Sequence, residues 1–218
     1  MAPNKQALEV KITIDSLVLP GNLTLVDQSQ ALVIFAHGSG SSRLSPRNQY
    51  VADVLHQSGI STLLFDLLTE KEDRKYENRF NIPLLAERLV AATQWAKQQK
   101  ELANCQLGYF GASTGAAAAL IAAAELGDQI KAVVSRGGRP DLALDILDKV
   151  FSPVLLIVGG DDDQVIVLNQ KAHEKIKAIK ELSIIPGATH LFEEPGKLEE
   201  AAKQAAAWFK KYLVINNQ

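Results

Sequence analysis

The chain has 218 residues, 47% of them hydrophobic and 22% charged, with a formal net charge of −2. A domain of that size buries roughly 70% of its unfolded surface, so its core needs no disulfide or metal. The near-neutral balance excludes a basic nucleic-acid footprint and an acidic disordered tail, and a lone cysteine, Cys105, excludes a disulfide framework or a Cys-rich zinc site.

The start, Met1 to Gln6, leads straight into charged, alternating sequence, so no secretory signal is expected. Leu8–Ile14 alternates apolar and polar residues, the period of a half-buried strand. Ser16–Leu19 and Leu23–Val26 read as two further strand segments, with a turn at Pro20-Gly21-Asn22 between them. From residue 31 the pattern changes to short continuous apolar runs: Ala31–Ala36, Ile60–Phe65, Cys105–Phe110, Ile130–Ser135, Val154–Val158 and Leu182–Ile185. Strands covered on both faces read this way, as parallel sheets do.

Helix signals separate the runs. Ser45-Pro46 supplies a cap and a first-turn proline, Gly59 follows the helix end, and Tyr50, Val51, Val54 and Leu55 form its apolar stripe. Glu70–Arg79 reads as a solvated loop, with Asp66 before it as a loop cap. Pro83 opens a helix bearing Leu85, Leu89, Ala92, Trp95 and Ala96, and the last helix carries Leu198, Ala201, Ala205, Trp208, Phe209 and Tyr212. The longest apolar run, Ala116–Ala124, has nine residues, against about 20 for a membrane span. These features predict one α/β domain over residues 1–218 with a mostly parallel sheet and helices on both faces. They also lead us to expect a soluble, cytoplasmic protein with no nucleic-acid or membrane partner.

Function in such sheets collects at the carboxyl ends of the strands. Gly111-Ala112-Ser113-Thr114-Gly115 joins an apolar run directly to a small-residue helix. Glycines two before and two after Ser113 leave room for a sharp strand-to-helix turn that exposes the hydroxyl. A chance G-x-S-x-G in a chain this long has odds of roughly one in fifteen, and a chance match rarely falls between such elements. The serine needs a base. His56 and His173 lie within helices and read as surface side chains. His37 sits in the glycine-rich loop His37-Gly38-Ser39-Gly40. His190 follows the last apolar run, at a strand end and in the chain order Ser, acid, His. The acid is expected in Asp161-Asp162-Asp163, where one carboxylate could orient the histidine and another cap the helix beginning near Val165; spacing does not choose among the three. The backbone N–H groups of Thr114 and Ser39 are the expected oxyanion donors. The loop after His37 lacks a P-loop ending and G-x-G-x-x-G, since Arg43 stands at the last glycine position. Arg136 and Arg139, in Ser135-Arg136-Gly137-Gly138-Arg139-Pro140-Asp141, read as solvent-facing side chains of a glycine turn with Asp141 as a cap; the alternative is that one attracts an anionic substrate.

These segments together resemble an α/β-hydrolase of the dienelactone hydrolase group, from about residue 30 to the C-terminus. The resemblance rests on Ala36–Arg43, Gly111–Gly115, Gly159-Gly160-Asp161-Asp162 with Val165 after it, and Pro186–Phe192. It implies an α/β-hydrolase fold with N-terminal antiparallel strands and no separate cap domain. It selects Asp162 as the acid, two residues past the double glycine, alongside Ser113 and His190. The enzyme that gives the group its name uses cysteine where this chain has Ser113, and Cys105 is not at the elbow. The implied activity is hydrolysis of a small ester, thioester or lactone through an acyl-enzyme, with no cofactor and no metal, the partner being a small-molecule acyl substrate. An acyltransferase on the same triad and a non-catalytic binding module are the alternatives.

Overall fold

An antiparallel strand pair comes first in the computed structural model, which describes residues 3–214; of the Met1–Gln6 start read in the sequence, Met1 and Ala2 lie outside the described residues. β1 (Lys5–Ile14) and β2 (Leu17–Val26) reverse at Asp15-Ser16, where Asp15 takes a φ of 52°. The turn expected at Pro20-Gly21-Asn22 is instead strand. Pro20 pairs with Lys11, and the pairing of β2 with β4 (Ser61–Phe65) begins only at Gly21, so the missing proline N–H interrupts no ladder. Gly21 is there for space: a Cβ would stand 3.0 Å from Val10 Cγ2.

The apolar runs form the predicted strands. β3 (Ala31–Ala36), β4, β5 (Gln106–Ala112), β6 (Ile130–Arg136), β7 (Val154–Gly159) and β8 (Lys180–Ile185) complete one sheet in the order β1-β2-β4-β3-β5-β6-β7-β8. All neighbours from β4 to β8 are parallel. β3, β4 and β7 are buried along their whole length, as continuous apolar runs require.

Helices cover both faces. α1 (Pro46–Gln57) is capped by the Ser45 side chain and stopped before Gly59, whose φ is +80°. It shares one apolar layer with α6 (Lys197–Leu213), through Val51, Leu55, Ala205 and Phe209. The expected loop after residue 69 is partly helical. Thr69 and Glu72 form a reciprocal capping box around α2 (Glu70–Asp73), and a 3-10 turn (Tyr76–Phe80) follows. Arg79 makes a bidentate pair with Asp73, and Arg88 reaches Glu72 at 3.0 Å. α3 (Ile82–Lys97), α4 (Thr114–Leu126) and α5 (Asp163–Lys175) cover the other face, with Leu85, Leu89, Ala117, Leu120 and Ala172 in one core.

Two polar side chains differ from their expected exposure. His56 is buried, because its helix packs on β4: Nε2 meets Thr62 Oγ1 at 2.7 Å and Nδ1 meets Asp53 Oδ1 at 3.3 Å. His173, in the last turn of α5, is half-buried. In the opposite core the Tyr109 hydroxyl lies 2.6 Å from Thr93 Oγ1, which itself donates to the Leu89 carbonyl at 2.8 Å. Thr93 has one proton, so Tyr109 is the donor of the pair. Thr93→Val therefore strands a buried phenol and should cost about 1–3 kcal/mol, whereas Tyr109→Phe leaves Thr93 bonded and should cost about 0.5–1.5 kcal/mol. Chemical denaturation of the two variants gives the order; the reverse order would contradict this donor assignment.

Candidate active site

One residue, Ser113, turns the chain from β5 into α4. Its φ of 51° and ψ of −123° lie outside the ordinary regions for a side chain with a Cβ. The turn is held by backbone bonds: Ser113 N–H donates to the Arg136 carbonyl at 3.3 Å, and its own carbonyl accepts from Ala116 (3.1 Å) and Arg139 (3.0 Å). The flanking glycines are required by contact. A Cβ on Gly111 would fall 2.4 Å from Ala116 Cα, and one on Gly115 would fall 2.2 Å from the Ala36 carbonyl oxygen.

The loop after β3 packs against this turn. A Cβ on Gly38 would stand 3.0 Å from Ser113 Cβ. His37 is buried beside it, and Leu67 N–H donates to its Nε2 at 3.1 Å. The ring proton therefore sits on Nδ1, which donates to the Gly38 carbonyl at 3.0 Å. A trans peptide points its C=O and N–H in opposite directions. Anchoring the Gly38 carbonyl thus aims the Ser39 N–H the other way, and it donates to Thr114 Oγ1 at 2.9 Å. The Ser39 amide is therefore engaged by a side chain at rest. The Thr114 N–H, at the first position of α4, has no intrahelical acceptor. The role of His37 was missed in the sequence, although its position before Gly38 was the available signal.

His190 lies on the loop between β8 and α6. Its Nδ1 is 2.7 Å from Asp162 Oδ2. Of the three consecutive carboxylates, Asp161 and Asp163 are exposed and Asp162 turns inward. Asp162 is also the residue preceding α5, which starts at Asp163, close to the expected Val165, but its side chain does not cap that helix. The histidine loop is pinned by Glu194, whose carboxylate accepts from the Thr189 N–H (3.1 Å) and hydroxyl (2.5 Å). Phe192 turns the chain back at φ 57° into a buried position.

Ser113 and His190 line one cavity of about 230 Å³, together with Ser39, Asn48, Arg136 and Leu191. No hydrogen bond joins the Ser113 hydroxyl to the His190 ring in this resting geometry, although the histidine–aspartate bond is made. A larger cavity of about 750 Å³ lies away from these residues, between α1, α6 and Lys5. Lys5 is paired there with Asp53 and Lys203 with Glu199. Its lining includes Ser58, His56 and Asp53, but His56 Nε2 is taken by Thr62 Oγ1 at 2.7 Å and the Ser58 hydroxyl donates to the Val54 carbonyl at 3.1 Å, so the three do not form a serine–histidine–aspartate relay.

The arginines of the glycine turn part company. Arg139, read as solvent-facing, is partly exposed and bidentate to Asp141 at 2.8 Å, which leaves Asp141 an ion-pair partner rather than the expected helix cap. Arg136 is not solvent-facing: it is 6% exposed and lies against Phe192. Its place as the last residue of a central strand buries it. Asp66, expected as a loop cap, accepts from the Arg43 N–H at 2.7 Å and from its guanidinium. No described helix is long and apolar enough to cross a membrane.

Residues 32–215 match the model of the dienelactone hydrolase family. A crystal structure of a dienelactone hydrolase from Anabaena variabilis is 51% identical, with a TM-score of 0.94 over 96% of this chain and 99% of that one. A protein of Mycobacterium tuberculosis strain H37Rv, provisionally named a phosphoribosyl transferase, is 54% identical over 205 residues, 94% of this chain and 46% of that protein. The chain thus spans about half the length of the curated relatives it matches. Est1E from Butyrivibrio proteoclasticus, solved with ferulic acid bound, shares the fold at 20% identity, with a TM-score of 0.82 over 93% of this chain and 98% of that one.

Burial, offset in part by the Gly38 bond, holds His37 below its ordinary value of 6.5, and burial likewise lowers His56. Both rings stay neutral in the fold while the unfolded chain takes up protons. Their contribution to stability is complete above pH 6.5 and falls away as the pH drops below that value toward the folded-state values. Asp53 and Glu72, both lowered, add further loss only below their ordinary values of 3.8 and 4.5. The thermal midpoint should therefore decline between about pH 7 and about pH 5. A flat midpoint over that range would contradict the neutral buried rings.

Proposed function

The chain belongs to the dienelactone hydrolase family, and on that premise we propose that it is a serine hydrolase that cleaves a small ester, thioester or lactone through an acyl-enzyme. The observation that carries this reading is the 2.7 Å His190–Asp162 bond at the rim of the same cavity that Ser113 enters from a positive-φ turn. In this mechanism Ser113 Oγ attacks the carbonyl carbon as its proton passes to His190 Nε2. Asp162 holds Nδ1–H and stabilises the imidazolium. The proton then moves to the leaving oxygen or sulfur as its bond to carbon breaks. A water repeats the sequence on the acyl-enzyme, giving the acid and restoring Ser113. The contact between Ser113 and His190 forms with substrate bound, as such contacts commonly tighten only then.

The oxyanion forms where the Thr114 N–H is free to donate. The Ser39 N–H joins when the Thr114 hydroxyl, its acceptor at rest, is displaced by the substrate oxygen. The carbonyl anchored by His37 keeps that amide aimed at the site throughout. Phosphoribosyl transfer, named for the mycobacterial relatives, belongs under this reading to the part of those proteins outside the matched span.

Ser113→Ala should lower turnover of p-nitrophenyl acetate by about 10⁴-fold or more and abolish fluorophosphonate labelling at the elbow peptide. Unchanged labelling would overturn the nucleophile. Asp162→Asn should lower kcat by about 10²–10⁴-fold, since the ring loses its anchored tautomer. Full activity in that variant would remove Asp162 from the triad.

A further inference from the structure

Five arginines with half-buried or buried side chains each hold a carboxylate: Arg43 with Asp66, Arg47 with Glu193, Arg79 with Asp73, Arg88 with Glu72 and Arg139 with Asp141. Arg136 is buried and holds none. Its Nε is sealed from solvent without an acceptor, as are those of Arg43 and Arg88, but unlike theirs its terminal nitrogens receive no hydrogen bond or ion pair from the described residues. An unpaired buried cation is costly, by several kcal/mol for a desolvated ion. Burial, with the Arg47 charge second, pulls this guanidinium down to about 10. The group nevertheless stays protonated at neutral pH. Its compensation within the protein is the Phe192 ring, 5.6 Å from the guanidinium carbon, a contact worth about 1–2 kcal/mol.

The surroundings of Arg136 point to an anion. It lines the Ser113–His190 cavity, and Arg47 and Asn48 from the first turn of α1 line the same cavity. The Glu193 carboxylate that occupies Arg47 is 62% exposed, so that pair is easily exchanged. Asn48 is 2% exposed, and its side-chain oxygen has no partner. Its Nδ2 makes no hydrogen bond to the described residues and is not sealed in the same way, so the amide N–H groups are the atoms that remain available to the cavity. These are unsatisfied polar groups on one wall of a site whose other wall carries the nucleophile.

We propose that Arg136, assisted by Arg47 and Asn48, binds an anionic group, a carboxylate or a phosphate, carried by the substrate close to its scissile carbonyl. This rests on the serine hydrolase reading for the bond that is cleaved, but the anion site is separable from it. A planar guanidinium accepts either group through two parallel N–H bonds. The anion supplies the charge that Arg136 lacks and expels the water that would otherwise reach the cavity. The cavity, at about 230 Å³, suits a short acyl chain bearing such a group.

Binding is tested apart from turnover. The Ser113→Ala protein is titrated by calorimetry with succinate and, separately, with inorganic phosphate. Saturable binding of one of them is expected, weakened about 30-fold when Arg136→Gln is added and less when Arg47→Gln is added. Succinate alone binding identifies a carboxylate, and phosphate alone identifies a phosphoryl group. Binding of neither, or equal binding after Arg136→Gln, overturns the proposal. Should Arg136→Gln fail to fold, Arg136→Lys, which keeps the charge but loses the fork, and Arg47→Gln carry the same comparison. In turnover, the ratio of kcat/KM for mono-p-nitrophenyl succinate over p-nitrophenyl acetate should fall about 10-fold or more in Arg136→Gln. Anion binding with no turnover of either ester would sink the hydrolase reading and leave the anion site standing. Turnover with an unchanged ratio would do the opposite.

Discussion

The candidate site depends on a contact between two pieces of backbone. The first turn of α4 meets the end of β3 so closely that Gly115 has no room for a methyl group beside the Ala36 and His37 carbonyls. Gly111 and Gly38 meet comparable limits from Ala116 and Ser113. With both segments in contact, Ser113 has only the positive-φ path between strand and helix. A non-glycine residue held there costs on the order of 1–3 kcal/mol. That cost is borne by buried parallel pairing of β5 with β3 on one side and β6 on the other. The strain is therefore placed where the surroundings are least able to relax.

The same contact fixes the polar geometry. His37 is neutral because it is buried, and its tautomer is set because the Leu67 N–H occupies Nε2. That tautomer anchors one end of the Gly38–Ser39 peptide, and Thr114 receives the other. A similar economy operates at the histidine loop, where Glu194 ties down Thr189 and Asp162 orients the His190 ring. The Ser39 amide and the His190 ring are thus each held in orientation by a neighbouring bond. Such second-tier bonds set orientation more than they set affinity.

Much of this was legible in the sequence, for identifiable reasons. Continuous apolar runs located β3 to β8 because strands covered on both faces leave no polar alternation. The Ser113 turn was legible because glycine at two fixed offsets is a steric requirement, and His190 because chain order and strand-end position narrow four histidines to one. Pro20-Gly21-Asn22 misled because proline and glycine serve a strand as well as a turn when the ladder starts one residue later and a neighbour needs the space. The helical segment after Thr69 was signalled by its capping box but hidden by its charge. His56 and Arg136 were misjudged for one shared reason: exposure is a property of what another element lays over a residue, and no local pattern encodes it. Spacing could not choose among Asp161, Asp162 and Asp163 at the start of a helix; the family resemblance chose Asp162, and its side chain is the one of the three that turns inward to His190.

The two walls of the cavity obey opposite physical rules. On the Ser113 side the supporting groups are bonded in pairs, His37 with Gly38, Ser39 with Thr114 and His190 with Asp162, and the backbone is packed to its contact limit. On the Arg136 side a charge is buried without a counter-ion, next to an amide without a partner. A fold that satisfies its other buried arginines with carboxylates has the means to satisfy this one, and Glu193 already serves Arg47 nearby. An internal carboxylate at Arg136 would neutralise the wall and repel an incoming anion, since like charges in a poorly hydrated site interact strongly. Leaving the guanidinium open instead transfers its pairing to whatever enters. Under the proposed reading, the rigidly held Ser113 side sets where a bond is cleaved, and the unpaired cation sets which molecules are held there long enough for cleavage.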